Sequence, residues 1–137
     1  KGSIMKDLSW AWNSANACFP GTQAAKFMGN HVFYAVTMPP RSEMFISVAT
    51  TDAHGDLSIY AYRIGAAEYN LVPDLGSCIT CEADHKWDGK WKSKVEPSER
   101  KVSFQNPGQE NYNILIGISG PKGVTAGQFN LKIKLVQ

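Results

Sequence analysis

The sequence is short of several features that would place it in a functional class at once. It has no apolar run of the about eighteen residues that a membrane-spanning helix needs. It has only three cysteines in 137 residues, which is too few for a small domain held together by several disulfides. Its formal net charge is only +2, whereas nucleic-acid binding needs a concentrated basic face. We therefore expect no transmembrane segment and no nucleic-acid partner.

Catalytic motifs are also missing. There is no GxSxG elbow, no HExxH pair and no phosphate-cradling glycine loop, and the "GPKG" at 120–123 lacks the spacing and the Ser or Thr of a P-loop. The three histidines, His31, His54 and His85, lie in separate segments with no third group to orient a nucleophile–base pair. We expect that the protein is not an enzyme.

What the sequence does contain is a period-two alternation of apolar residues in short segments, which is typical of β-strands with one buried face. In four segments one face is apolar, and its predicted residues are Val32, Tyr34, Val36 and Met38; Met44, Ile46 and Val48; Tyr112, Ile114, Ile116 and Ile118; and Phe129, Leu131, Ile133 and Leu135. In a fifth segment both faces carry such residues: Leu57, Ile59 and Ala61 on one side, and Tyr60, Tyr62 and Ile64 on the other. The segment 99–106, "ERKVSFQN", is a further and weaker strand.

Turn-forming residues separate these strands, as in "MPPRSE", "TDAHGD", "NPGQEN" and "SGPKGVTAG". This order predicts an all-β fold, an antiparallel, jelly-roll-like β-sandwich. We assign residues 1–26 to a lead-in that packs on the domain, with a helix as one reading of 5–17. Residues 27–137 form the sandwich, with an irregular insertion at 65–98, and such insertions on a rigid scaffold often carry function.

The order of strands resembles a known family. "FMGNHVFYAVTMPPRSEMFISVATTDAHGDLSIYAYRIG" is similar to the first half of a bacterial pre-peptidase C-terminal domain, and "NPGQENYNILIGISGPKGVTAGQFNLKIKLV" is similar to its second half. The resemblance implies a non-catalytic accessory β-sandwich of a secreted, periplasmic or cell-surface bacterial protein. The insertion at 65–98 departs from the family pattern, and we expect no attached peptidase.

The three cysteines have two readings. In an exported protein an oxidised pair is the default. Linking Cys18 to Cys78 or Cys81 would close a loop of about 60 residues and stabilise the folded state by about 4 kcal/mol, which favours this pairing. Proximity in sequence favours a bond between Cys78 and Cys81 instead. The other reading is a zinc site made by Cys18, Cys78, Cys81 and His85, whose ligand types suit zinc.

Calcium is a further alternative, because Asp52 and Asp56 flank a turn and carboxylates are hard oxygen ligands. Acidic residues in turns more often cap the backbone. We expect no cofactor, with calcium as the alternative.

Aromatic residues make the 65–98 insertion the candidate binding region. Trp87 and Trp91 could bury against a protein or carbohydrate partner at the cell surface, with Tyr69 as a further aromatic contact and Lys90 steering an anionic partner. The competing reading is that the tryptophans cover one end of the sandwich. The function predicted is thus a binding or accessory domain; the alternatives are a structural subunit of a surface assembly, or a module stabilised by calcium or zinc.

The cysteine readings differ in a quantity that is simple to measure. A disulfide predicts one free thiol per unfolded chain, while the zinc site predicts three thiols and stoichiometric zinc. We expect one thiol, counted with a thiol reagent in denaturant, together with elemental analysis of protein purified without chelator. Three thiols without zinc would contradict both readings.

Overall fold

The described part of the chain consists of β-strands, with no helix. The structure is a computed structural model, and it describes residues 4–5, 29, 31–50, 57–64, 80–84, 99–120 and 127–137. In chain order the strands are β1 (Ile4–Met5), β2 (His31–Met38), β3 (Ser42–Thr50), β4 (Ser58–Ile64), β5 (Thr80–Asp84), β6 (Glu99–Asn106), β7 (Tyr112–Ser119) and β8 (Phe129–Val136). The prediction of an all-β fold is confirmed.

The strands form two antiparallel sheets that pack as a sandwich. The larger sheet has five strands in the order β1-β2-β7-β4-β5, and the smaller has three in the order β6-β3-β8. Two segments differ from the sequence-based description. Ile4–Met5, assigned to the lead-in, pairs with β2, and Thr80–Asp84, assigned to the irregular insertion, pairs with β4. Residues 6–17, where a helix was one reading, lie outside the described residues.

The core between the sheets is built from the alternating apolar residues. In β3 the even-numbered residues from Ser42 to Val48 are buried while Glu43 and Phe45 are exposed, as a strand with one buried face requires. The buried cluster that joins the sheets is Met38, Met44, Ile46, Val48, Leu57, Ile59, Ala61, Val102, Phe104, Ile114, Ile116 and Ile118. Most of the residues predicted to face inward are therefore in the core.

The central strands of the larger sheet are buried on both faces. On the face turned away from the core, Tyr60 contacts Phe33 edge-to-face with ring centroids 6.1 Å apart, and it contacts Tyr62 at 5.8 Å. The side chains of all three aromatic residues are buried. Burial raises the pKa of Tyr60 well above its ordinary value, and the neighbouring Tyr62 raises it further.

Two arginines connect the sheets at opposite ends of β4 and β6. Arg100 at the start of β6 donates from Nε to the Leu57 carbonyl, at 3.0 Å. Arg63 near the end of β4 donates from Nη1 to the Gln105 carbonyl, at 2.7 Å, and its guanidinium lies 4.8 Å from the centre of the Tyr112 ring. The first bond joins β6 to the residue just before β4 and the second joins β4 to β6, so the two strands are connected near both ends.

The buried Asn106 side chain ties together two of the predicted turns. Its Nδ2 donates to the carbonyls of Pro39 and Glu110, at 2.9 and 2.8 Å, and its Oδ1 accepts from the Gly108 N–H at 3.1 Å. The Arg41 N–H donates to the Gly108 carbonyl at 3.2 Å, with Arg41 in the left-handed region at φ 51°. These bonds satisfy buried polar groups at the point where β6 ends and β3 begins.

Gly117 makes room for the aromatic layer, and this generates a prediction. It lies opposite both Phe33 and Tyr60 in the sheet, and a methyl group at Gly117 would collide with the Tyr60 ring. Since Tyr60 is fully buried, the ring has no free space to enter. We expect Gly117→Ala to destabilise by about 1–3 kcal/mol, measured by chemical denaturation.

Gly108→Ala is the matched control. Its added methyl group would meet only the Asn106 Oδ1, at 3.4 Å, so we expect a loss below about 1 kcal/mol. Equal stability changes for the two variants would show that the ring can move and would contradict the prediction.

Candidate functional site

The outer face of the smaller sheet brings together side chains from three strands that are distant in sequence. The register places Phe45 between Ser103 and Lys134, and it places Ser47 between Lys101 and Lys132. We call the set Phe45, Ser47, Lys101, Ser103, Lys132 and Lys134 the lysine face. On each strand these residues alternate with the core residues, and successive side chains point to opposite faces of the sheet. Burial of the core residues therefore places the lysine face on the outside.

A shallow groove of about 570 Å³ lies over the lysine face. Glu99 of β6 and Glu82 of β5 also line it. Glu82 belongs to the 65–98 segment, so the region predicted to bind a partner contributes at least one side chain to this groove. The groove is therefore bounded by both the regular sheet and the insertion.

Positive charge on the lysine face is only partly balanced. Lys101 forms an exposed ion pair with Glu99 at 3.3 Å, whereas the described residues place no carboxylate at ion-pair distance from Lys132 or Lys134. Lys101 and Lys132 flank Ser47 on the two neighbouring strands, so their backbones are about 10 Å apart. An anion bound between these lysines would reduce their mutual repulsion.

Phe45 adds an apolar surface to this charged face. Its side chain is 43% exposed although the adjacent Met44 and Ile46 are each 1% exposed. Lys134 lies beside it across the strand pair, and the aliphatic part of a lysine can cover apolar surface while its ammonium stays in water. The face thus offers an apolar contact at Phe45, flanked by Lys134 on one neighbouring strand and Ser103 on the other, with Glu43 two residues away on the same face.

Asp84 holds β5 at the edge of this groove. Its Oδ2 accepts a hydrogen bond from the Lys101 N–H at 2.9 Å, which satisfies a donor on the outer edge of β6. Glu82 is two residues before Asp84 and shares its side of β5. The Asp84 bond between the sheets thus holds β5, and with it Glu82, beside the lysine face.

Most of the site residues predicted from sequence lie outside the described residues, and their roles stay predictions. These are Tyr69, Trp87, Lys90 and Trp91 for the partner; Cys18 and Cys78 for the disulfide; Asp52 and Asp56 for calcium; and His85 for zinc. For Cys81 only the backbone is described, in β5 opposite Tyr62. Within the described ranges no three Cys, His, Asp or Glu side chains are grouped as metal ligands.

Comparison with protein-family models, with curated proteins and with solved structures finds no match to this chain. The resemblance to pre-peptidase C-terminal domains therefore stays a prediction based on strand order. None of the described residues belongs to a helix with the length and hydropathy of a membrane span.

Adjacent residues of β3 allow a test of whether Phe45 is available for binding. We expect Phe45→Thr to change the free energy of unfolding by less than about 1 kcal/mol, because a β-branched residue keeps the strand propensity and little core is lost. Ile46→Ala should cost about 2–4 kcal/mol, because it leaves a cavity between the sheets. Denaturant unfolding of both variants measures this, and a large loss for Phe45→Thr would assign Phe45 to packing.

Proposed function

We propose that the protein is a non-catalytic binding domain that holds an anionic protein or glycan partner against the lysine face. The observation that carries the proposal is the pair Lys132 and Lys134, which have no carboxylate partner among the described residues and lie beside the exposed Phe45. Exposed lysines on a rigid sheet attract an anionic partner before contact, and Phe45 supplies the apolar contact.

The composition of the groove favours binding over catalysis. Its described lining contains Ser47 and Ser103, but no histidine or cysteine that could act as a base or as a thiolate nucleophile. The remaining polar groups are lysines and the carboxylates of Glu82 and Glu99. Such a set can orient and retain a charged partner without activating it.

The 65–98 segment is the second part of the proposed binding region. Glu82 brings it to the groove edge, and its aromatic residues Tyr69, Trp87 and Trp91 would add buried contact area. Lys90 would extend the cationic surface, and a disulfide would reduce the entropy lost on binding. A secreted, periplasmic or cell-surface location is the part of the proposal that is supported by the family resemblance alone.

The proposal is tested by replacing the two lysines that lack a partner. Lys132→Gln and Lys134→Gln, made singly and together, should weaken binding of a fluorescein-labelled decaglutamate peptide and of heparin. For the double variant we expect about a two- to thirtyfold weaker Kd, since each exposed ion pair contributes about 0.2–1 kcal/mol. The salt dependence of binding should fall as well, and fluorescence anisotropy at two ionic strengths measures both.

Arg41→Asn is the matched control for each single substitution. It also removes one positive charge, it lies outside the groove, and asparagine tolerates the left-handed backbone found there. Equal weakening by Arg41→Asn would indicate an effect of net charge alone. Undiminished binding in the double lysine variant would overturn the proposal.

A double variant, Trp87→Ala with Trp91→Ala, tests the contribution of the insertion. We expect it to weaken partner binding while the free energy of unfolding changes little. A large loss of stability would show instead that the tryptophans pack on the sandwich.

A further inference from the structure

The strand β8 leaves apolar side chains uncovered at one edge of the sandwich. Ile133 and Leu135 share the side of β8 that carries Leu131, which packs against the core. Nevertheless Ile133 is 39% exposed and Leu135 is 45% exposed. Both side chains therefore lie on the side of β8 that faces the larger sheet, at a place that the described residues leave partly uncovered.

The opposite edge of the sandwich is closed, which makes the open edge at β8 distinctive. There, Arg63, Arg100 and Asp84 connect β6 to the larger sheet. At the β8 edge the facing residues of β2, Tyr34 and Val36, are only partly buried. In the described part of the chain β8 pairs with β3 alone, so its outer edge still offers backbone donors and acceptors to another strand.

We infer that β8 accepts an added strand from a partner protein, and that this strand alternates apolar and acidic residues. The inference rests on the proposed function and narrows its partner to an extended protein segment. Apolar side chains of the added strand would lie beside Ile133 and Leu135 and cover the open core. Acidic side chains on its other face would lie beside Lys132 and Lys134, because successive side chains alternate.

Charge complementarity favours this occupant over a second copy of the chain. In an antiparallel, two-fold pairing of β8 with itself, centring at Lys132, Ile133 or Lys134 puts a lysine directly opposite a lysine of the other copy. Like charges in directly opposed positions destabilise a strand pair. Lysine on an edge strand is also a common means of preventing self-association. The same two lysines attract a strand with acidic residues at those positions.

The length of β8 suits this mode of binding. It spans Phe129–Val136, which is enough for several main-chain hydrogen bonds to a partner of similar length. Main-chain bonds give affinity that depends little on sequence, and the side chains on the two faces give specificity. The alternation of lysine with aliphatic residues in β8 thus predicts the alternation required of the partner.

The experiment uses the full chain and a twelve-residue peptide that alternates valine and glutamate, shown to be monomeric by sedimentation. An isomer with its valines and glutamates in two blocks is the control peptide. At a peptide concentration about ten times the Kd, we expect amide hydrogen exchange in β8 to slow about tenfold. Exchange in β6 should not change, and the block isomer should not protect β8.

A charge exchange tests the assigned pairing. Lys132→Glu with Lys134→Glu should weaken binding of the valine–glutamate peptide about tenfold and should create binding of a valine–lysine peptide. Leu135→Thr should weaken both complexes. All three positions are exposed, so the variants should keep the circular dichroism spectrum of the parent protein.

The outcomes separate this inference from the proposed function. Three outcomes would overturn the added strand and leave the anion-binding face in place. They are peptide binding without protection of β8, equal binding of the block isomer, and binding of heparin but of neither peptide. Self-association of the chain that Leu135→Thr abolishes would identify a second copy as the occupant and overturn the inference. Failure to bind any of the anionic probes would overturn both proposals.

Discussion

Burial of Met44, Ile46 and Val48 is the constraint on which the arrangement of the smaller sheet depends. Because β3 is the central strand, these three side chains fix which of its faces turns towards the larger sheet. A slip of one residue would expose all three and bury Glu43 and Phe45. The neighbouring strands must follow the same phase, and that brings Lys101, Lys132 and Lys134 to one outer surface. The position of the charged face is thus a consequence of apolar packing on the other side of the same strands.

The two edges of the sandwich are stabilised by different means. Along β6 the connections to the larger sheet are hydrogen bonds: an arginine donates to a carbonyl at each end, and the Lys101 N–H donates to the Asp84 carboxylate of β5. Along β2 and β8 the contacts are apolar and partly exposed, with Tyr34 packing edge-to-face on Phe129 at 6.5 Å. Another segment could therefore be added at the β8 edge without breaking the hydrogen bonds that join the sheets at the other edge.

The strands with one buried face could be predicted from the sequence, because their alternation is a local pattern. The burial of β4 and β7 on both faces was less evident, although apolar and aromatic residues on both sides of "SIYAYRI" indicated it. The short strand β5 was missed because "TCEAD" has neither length nor alternation, and it becomes a strand by pairing with β4. Its existence depends on a tertiary contact rather than on local propensity.

The candidate site was harder to predict for a related reason. Lys132 and Lys134 could be placed on one side of their strand, but their proximity to Phe45 and Lys101 requires the order β6-β3-β8, which joins strands that are far apart in sequence. Exposure of Ile133 and Leu135 likewise depends on which strand lies at an edge. The site predicted around Trp87 and Trp91 was derived from composition, and composition carries no information about which strand faces which.

Gly117 has an implication for tracing the ancestry of this domain. The Tyr60 ring fills the volume that a side chain at position 117 would need, so a larger residue at position 117 requires a smaller one at position 60. We expect homologues that keep Tyr60 to keep Gly117 as well. Homologues with a larger residue at position 117 should have a smaller one at position 60. Covariation of positions 60 and 117 would then identify distant homologues even where the sequences of their loops have diverged completely.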